Sequence, residues 1–234
     1  MWVQHLQRGT EVVTNSSLAS AYADKPSSYF QGARHDIIGD LPRSPPLAIL
    51  EIGCGSGSTL ALAKKQGKAR LTVGVEFDRE SAAMARDHLD MVVEGNIESV
   101  ELPFPPAHFD VLIMSEVLEH LIDPWTTLQK LRPFLRVGGV LYASSPNVAH
   151  ISVLRQLLRN RFDYKDSGIT DWTHLRWFTP VTYGEMIERA GFRVSWVRAI
   201  SPLTPKQRIV NALTLGRLSH IFTGQIFVKA ERAD

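Results

Sequence analysis

The sequence predicts an α/β protein built on a doubly wound, mostly parallel sheet. Three observations carry that expectation. From Leu47 onward, short apolar runs alternate with amphipathic stretches of helical length. Behind the first of these runs, "ILEIGCGSGS" (Ile49 to Ser58) sets glycines at alternate positions, as a tight strand-to-helix turn requires. The tail then abandons the rhythm for two strand-like runs around one striped segment.

In order, "LAILEIG" reads as a buried strand and "STLALAKKQ" as a helix with Ser58 near its start. "RLTVGVEFD" is a second strand, followed by the helix "RESAAMARDHL". "MVVEGNI" and "FDVLIMS" are the third and fourth strands, the latter running into a helical "EVLEHLIDPWTTLQKLRPFL". "RVGG" reads as a turn into a fifth strand, "VLYASSP". Helix-length spacers between strands demand crossovers, so the sheet should be mostly parallel and covered on both faces. "FRVSWVRAI" and "GQIFVKAE" are strands that bracket "PKQRIVNALTLGRLSHIF". Residues 1–46 are polar, helix-compatible and broken by "DKPSS" and "LPRSPP", a preface to a main domain at 47–234.

The totals narrow the class. A chain of 234 residues, 44% hydrophobic and 21% charged, can bury a full core in one domain. A net charge of +2 is too small to imply a nucleic-acid partner. Cys54 is the only cysteine, which excludes an intrachain disulfide and suits a reducing compartment. The N-terminus lacks the pattern of a signal peptide, and no run nears the roughly 20 apolar residues of a membrane span, so a cytoplasmic protein is expected. The striped segment 206–222 suits core or homodimer packing ahead of attachment to a membrane surface.

In an open α/β sheet, ligands sit beyond the C-terminal ends of the strands. Glycines there let the backbone approach a ligand closely. Gly53 and Gly55 fit a dinucleotide fingerprint, but its third position falls on Ser58, and Gly57 arrives one residue early. That spacing counts against NAD. Glu76, 19 residues beyond Gly57, ends the second strand where a carboxylate can accept ribose hydroxyls, and Phe77 beside it can cover an adenine face.

With these residues in view, the sequence resembles the class I S-adenosylmethionine-dependent methyltransferases. The resemblance rests on Glu51-Ile-Gly-Cys-Gly-Ser-Gly57, Glu76, "EGNIESVELPF", "FDVLIMSEVLEHLIDP", "LRPFLRVGGVLYASSPN" and the upstream "GDLP". It implies a Rossmann-like, seven-stranded sheet with an antiparallel last strand and S-adenosyl-L-methionine as cofactor. By that resemblance Gly53, Gly55 and Gly57 face the methionine part, Glu51 orients its ammonium and Glu76 takes the ribose. Asn96 stands where the family often has Asp for the adenine amino group. Ile97 packs on the adenine, and Ser115 lies near the methionine end. Tyr29 and Phe30 of the preface are candidates to cap the cofactor, with Arg34 to pair its carboxylate.

Specificity is expected in the long connection at about 147–179, where Tyr164, Trp172, Trp177 and Phe178 are interleaved with arginines. As a whole, the pattern is similar to bacterial O-methyltransferases of glycan and small-molecule pathways. A small-molecule or glycan hydroxyl is therefore the expected acceptor. Glu116, Glu119 and His120 at i, i+3 and i+4 would share one helix face, and His174 could join them from the connection. Several roles are open to this group: His120 and His174 as proton acceptors, all four residues as a divalent metal site, a metal-free lining that only shapes the pocket, or a purely structural one. The latter resembles the small-RNA 3′-terminal 2′-O-methyltransferases, which makes methylation of an RNA 3′ end the runner-up. The low net charge disfavours it. A non-catalytic cofactor-binding module is the remaining alternative, opposed by the intact glycine turn and Glu76.

Overall fold

The computed structural model describes residues 32–200 and 203–234; Tyr29 and Phe30 lie outside the described residues. The chain runs α1 (His35–Asp40), β1 (Leu47–Ile52), α2 (Ser58–Lys65), β2 (Ala69–Glu76), α3 (Arg79–Arg86) and β3 (Met91–Glu94). It continues through β4 (Phe109–Ser115), α4 (Pro124–Leu131), β5 (Leu135–Pro146), α5 (Ile151–Leu157) and α6 (Pro180–Arg189). β6 (Phe192–Ala199), α7 (Pro205–Leu213) and β7 (Gln225–Arg232) close it.

The seven strands are ordered β3-β2-β1-β4-β5-β7-β6. β1 to β5 pair in parallel, while β7 runs antiparallel to both β5 and β6. Strand order reverses between β1 and β4, which opens a crevice at their C-terminal ends. Every residue of β1 is buried. Because side chains alternate across a strand, Leu50 and Ile52 join one core cluster and Leu47 and Ile49 the other, one on each face of the sheet. Ile37 and Ile38 of α1, with Leu41 after it, pack into the second cluster. Asp78 caps α3 by accepting Ser81 N–H at 2.8 Å. Asp123 caps α4 in the same way, with Pro124 at its first turn.

Three local expectations are corrected. "EVLEH" is not an α-helix: Glu116 adopts φ 55°, and only Leu118–His120 form a single 3₁₀ turn before α4. "RVGG" is not a turn outside the sheet but part of β5, which absorbs it as an irregularity where the β4 register jumps between Phe109 and Val111. The striped segment is not core packing, because α7 has no buried residue.

Candidate active site

A cavity of about 520 Å³ opens across the C-terminal ends of β1, β2 and β4. Arg34, Glu51, Gly53, Gly55, Glu76, Phe77, Asn96, Ile97, Ser115, Glu116, His120 and His174 all line it. Gly57 stands one step back as the N-terminal cap of α2, with φ 80°. Glu119 is fully buried behind the wall.

The floor is the glycine turn after β1. At Gly53, φ is 67° and an added Cβ would meet Val117 Cγ2 at 2.7 Å, so the backbone there passes where only glycine fits. Gly55 N–H donates to Glu76 Oε2 at 2.7 Å, and Asp78 N–H donates to Glu76 Oε1 at 2.8 Å. These bonds hold the β2 carboxylate against the turn. Burial still raises the Glu76 pKa above the usual carboxylate range, with the backbone donors opposing the rise.

Glu51 is the second wall group. Burial pushes its carboxyl up to about 8, against the opposing effects of the Thr59 hydroxyl and the Arg34 charge. Its Oε2 is buried with no hydrogen-bond partner among the described residues. A buried acceptor in that state costs about 1–3 kcal/mol until a donor arrives. Arg34 is already anchored: Nε and Nη2 donate to Asp36 at 2.9 and 2.7 Å, and Nη1 donates to the Ser115 and Ser144 hydroxyls. Its guanidinium also lies 5.0 Å over the Phe227 ring.

Charge decides what the cavity accepts. Glu51, Glu76, Glu98, Glu116 and Asp171 line it, and among the described residues Arg34 is the one lysine or arginine that does so. A pyrophosphate would meet that acidic wall unfavourably. A ligand bearing an ammonium and a sulfonium would find complementary charge, and the orphaned Glu51 oxygen would gain its donor.

Beyond Ser115 lies the second half of the site. Glu119, His120 and His174 each offer a ligand atom, all within 4.8 Å of one another, and all three residues are buried. Glu116 is not in that group. Its left-handed backbone removes it from the face that a helix would have shared, and its carboxyl contacts Ser144 and Gln225 instead. The imidazoles of His120 and His174 meet edge to face, with ring centroids 4.7 Å apart. His120 Nδ1 lies 3.1 Å from Thr173 O and His174 Nδ1 lies 3.0 Å from Ile169 O. A carbonyl only accepts, so each Nδ1 carries a hydrogen and each Nε2 is the basic nitrogen when the ring is neutral. Burial raises the Glu116 carboxyl, and it raises Glu119 well above its ordinary range, with Glu116 adding to the Glu119 shift.

From the long connection, Gly168, Ile169, Asp171 and His174 reach the cavity. Trp172 and Trp177 do not line it. Trp172 stacks on Tyr164 at 4.7 Å near the surface, and Trp177 lines a shallow hollow with Trp125 and Arg176. Sequence reasoning missed Thr59, Asp171 and Gln225. Only Asp171 carried a signal, as an acid three residues before His174.

Similarity to known proteins agrees with this geometry. A family model described as a methyltransferase domain matches residues 22–195. The "Probable S-adenosylmethionine-dependent methyltransferase" of Mycolicibacterium smegmatis is 32% identical over 146 residues, which is 62% of this chain and 52% of that protein. The chain thus spans about half the length of the mycobacterial relatives it matches. The ubiquinone biosynthesis O-methyltransferase of Aeromonas salmonicida is 28% identical over 198 residues, covering 79% of this chain and 82% of its own. A crystal structure of an S-adenosylmethionine-dependent methyltransferase from Mesorhizobium loti shares the fold, with TM-score 0.60, 18% identity and coverage of 86% and 98% of the two chains. The chain belongs to the class I S-adenosylmethionine-dependent methyltransferase family. Its cofactor is S-adenosyl-L-methionine.

Proposed function

We propose that the chain transfers a methyl group to a hydroxyl oxygen of a small molecule or glycan. The observation that carries this reading is the pair His120 and His174, fixed as Nδ1–H tautomers, on the wall of the cavity that Glu51 and Glu76 also line. The O-methyltransferase name of the Aeromonas relative supports oxygen as the acceptor atom. When bound, S-adenosylmethionine supplies a methyl group already activated on sulfur. The residues of this chain then have two tasks, alignment and proton removal. Glu51 holds the ammonium, Glu76 the ribose hydroxyls, and Asn96, Phe77 and Ile97 the adenine end. Arg34 and Ser115 shape the methionine end. A neutral imidazole at His174 or His120 takes the hydroxyl proton at Nε2. Residues 1–46 act as cofactor cover and residues 147–179 as the acceptor wall, supported by Arg34 and by Gly168, Ile169 and Asp171 at the cavity.

A second reading of the same cluster has its own support. Glu119, His120 and His174 have the donor set and mutual spacing of a divalent-ion site. Both Glu119 oxygens are buried and neither makes a well-formed hydrogen bond among the described residues, although the Ser145 hydroxyl lies near enough to favour the carboxylate. Both Nδ1–H groups are tied to carbonyls, as metal-ligating histidines usually are. These three residues would hold the ion, which would lower the pKa of a bound hydroxyl. Turnover of a panel of hydroxyl compounds with methyl-labelled cofactor tests the function. Methylation confined to amines or carbon acids would overturn the oxygen assignment.

A further inference from the structure

Helix α7 is packed inside out. A helix on a protein surface normally turns its apolar stripe to the core and its polar face to water. Here Gln207, Asn211 and Thr214 share the partly buried side, while Ile209, Val210 and Leu213 on the opposite side are 62%, 42% and 79% exposed. Leu215 and Leu218 extend the bare apolar surface at 81% and 37%. On grounds of burial alone this arrangement is unfavourable, because it leaves several large aliphatic side chains in water.

The charge around that face is one-sided. Residues 203–224 contain Lys206, Arg208 and Arg217 and no acid. The segment 147–162 after β5 is alike, with Arg155, Arg159 and Arg161, no acid, and Leu157 and Leu158 exposed at 52% and 87%. A chain whose net charge is +2 therefore gathers five cations in these two segments, setting aside Arg161, whose guanidinium is ion-paired to Asp163 at 2.8 Å. Both sit on the same rim. β5 enters the first at Pro146, the second enters β7 at Gln225, and Pro146 and Gln225 line the cavity and are register partners in the sheet.

We infer that this rim is a docking surface for an anionic lipid bilayer, with α7 lying in the membrane interface and the cavity mouth beside it. Exposed aliphatic side chains enter the acyl boundary, and Lys206, with its long stem amid the apolar face, reaches out to the headgroups. Arg208 and Arg217 meet anionic headgroups from the flanks, each strengthening binding about fivefold near such a surface. Charge argues against a second copy of the chain, since a two-fold pairing through this face would set its cations against their own copies. The aliphatic character argues against nucleic acid, which is gripped by cations together with stacking aromatics.

The test is flotation of the full chain with vesicles of phosphatidylcholine and phosphatidylglycerol, compared with phosphatidylcholine alone. The wild type should float with the anionic vesicles, lose that association in high salt, and bind neutral vesicles at least tenfold less. A triple Ile209→Ser, Leu213→Ser, Leu215→Ser variant should lose at least tenfold in partitioning with its melting temperature and cofactor affinity retained. Removing the three charges (Lys206→Gln, Arg208→Gln, Arg217→Gln) should cost about a hundredfold. Failure of the wild type to float with anionic vesicles overturns the inference whatever the variants do. So does a wild-type dimer that the serine variant converts to monomer without any vesicle binding. Retention of a single-stranded RNA oligonucleotide in preference to vesicles overturns it as well.

Discussion

Glu76 Oε2 accepts the backbone N–H of Gly55 at 2.7 Å, so the acid that ends β2 is tied to the glycine turn that ends β1. The carboxylate proposed to bind the ribose and the path of the turn are thereby one structure. Glu76→Ala should weaken binding of S-adenosylmethionine or its demethylated product by roughly 10- to 100-fold, because charged-acceptor hydrogen bonds worth about 1.5–3 kcal/mol are lost. Titration calorimetry reads this directly, and unchanged affinity would remove Glu76 from the cofactor site.

Glu51 should make cofactor binding release a proton. Burial holds its carboxyl up at about 8, so near neutral pH the free protein keeps it protonated. An arriving ammonium favours the carboxylate and drives the proton off. Binding should therefore tighten as pH rises toward 8, and calorimetry in buffers of different ionisation heat should report the proton. Glu51→Gln should abolish that signal.

The same group sets a stability trend in the cofactor-free protein. Its folded pKa lies above the ordinary 4.5, so between about 4.5 and 8 the folded state holds more protons than the unfolded. Its contribution is fully present below that window and is lost as pH rises through it. The cofactor-free wild type should lose melting temperature relative to Glu51→Gln between pH 5 and 8. An unchanged difference would mean that the carboxyl ionises normally.

At the glycine turn, Gly53→Ala should destabilise the protein by about 1–3 kcal/mol. The new Cβ would stand 2.7 Å from Val117 Cγ2, on a backbone with φ 67°. Adding Val117→Ala should recover the part of the loss due to the clash and leave the part due to backbone strain. Thermal melts of the single and double variants separate the two.

At the histidine pair, His120→Ala and His174→Ala should each lower turnover by roughly 10²–10⁴-fold with little change in cofactor affinity. Elemental analysis of the purified protein distinguishes the two roles without any acceptor. A stoichiometric divalent ion lost in Glu119→Ala and in both histidine variants supports the metal reading. No ion, together with activity indifferent to chelator, supports the imidazole base. Full activity in the double histidine variant would exclude both.

What the sequence determined by itself is the part of the fold governed by near neighbours. The apolar run of β1, broken only by Glu51, and the alternation of strands and helices are local signals, and each names its element without outside help. The glycine turn and Glu76 were legible because strand ends and the turns after them fall on one edge of a parallel sheet. Only the tertiary structure decided the rest. Glutamate does not advertise a left-handed backbone, so the departure of Glu116 from a helical face could not be read from spacing. His174 comes within reach of Glu119 and His120 because Leu175 and Arg176 N–H both donate to Glu119 O, from more than fifty residues further along the chain. The outward apolar face of α7 has the same periodicity as an inward one. A pattern fixes which residues share a face, and only packing decides whether that face meets the core or the solvent.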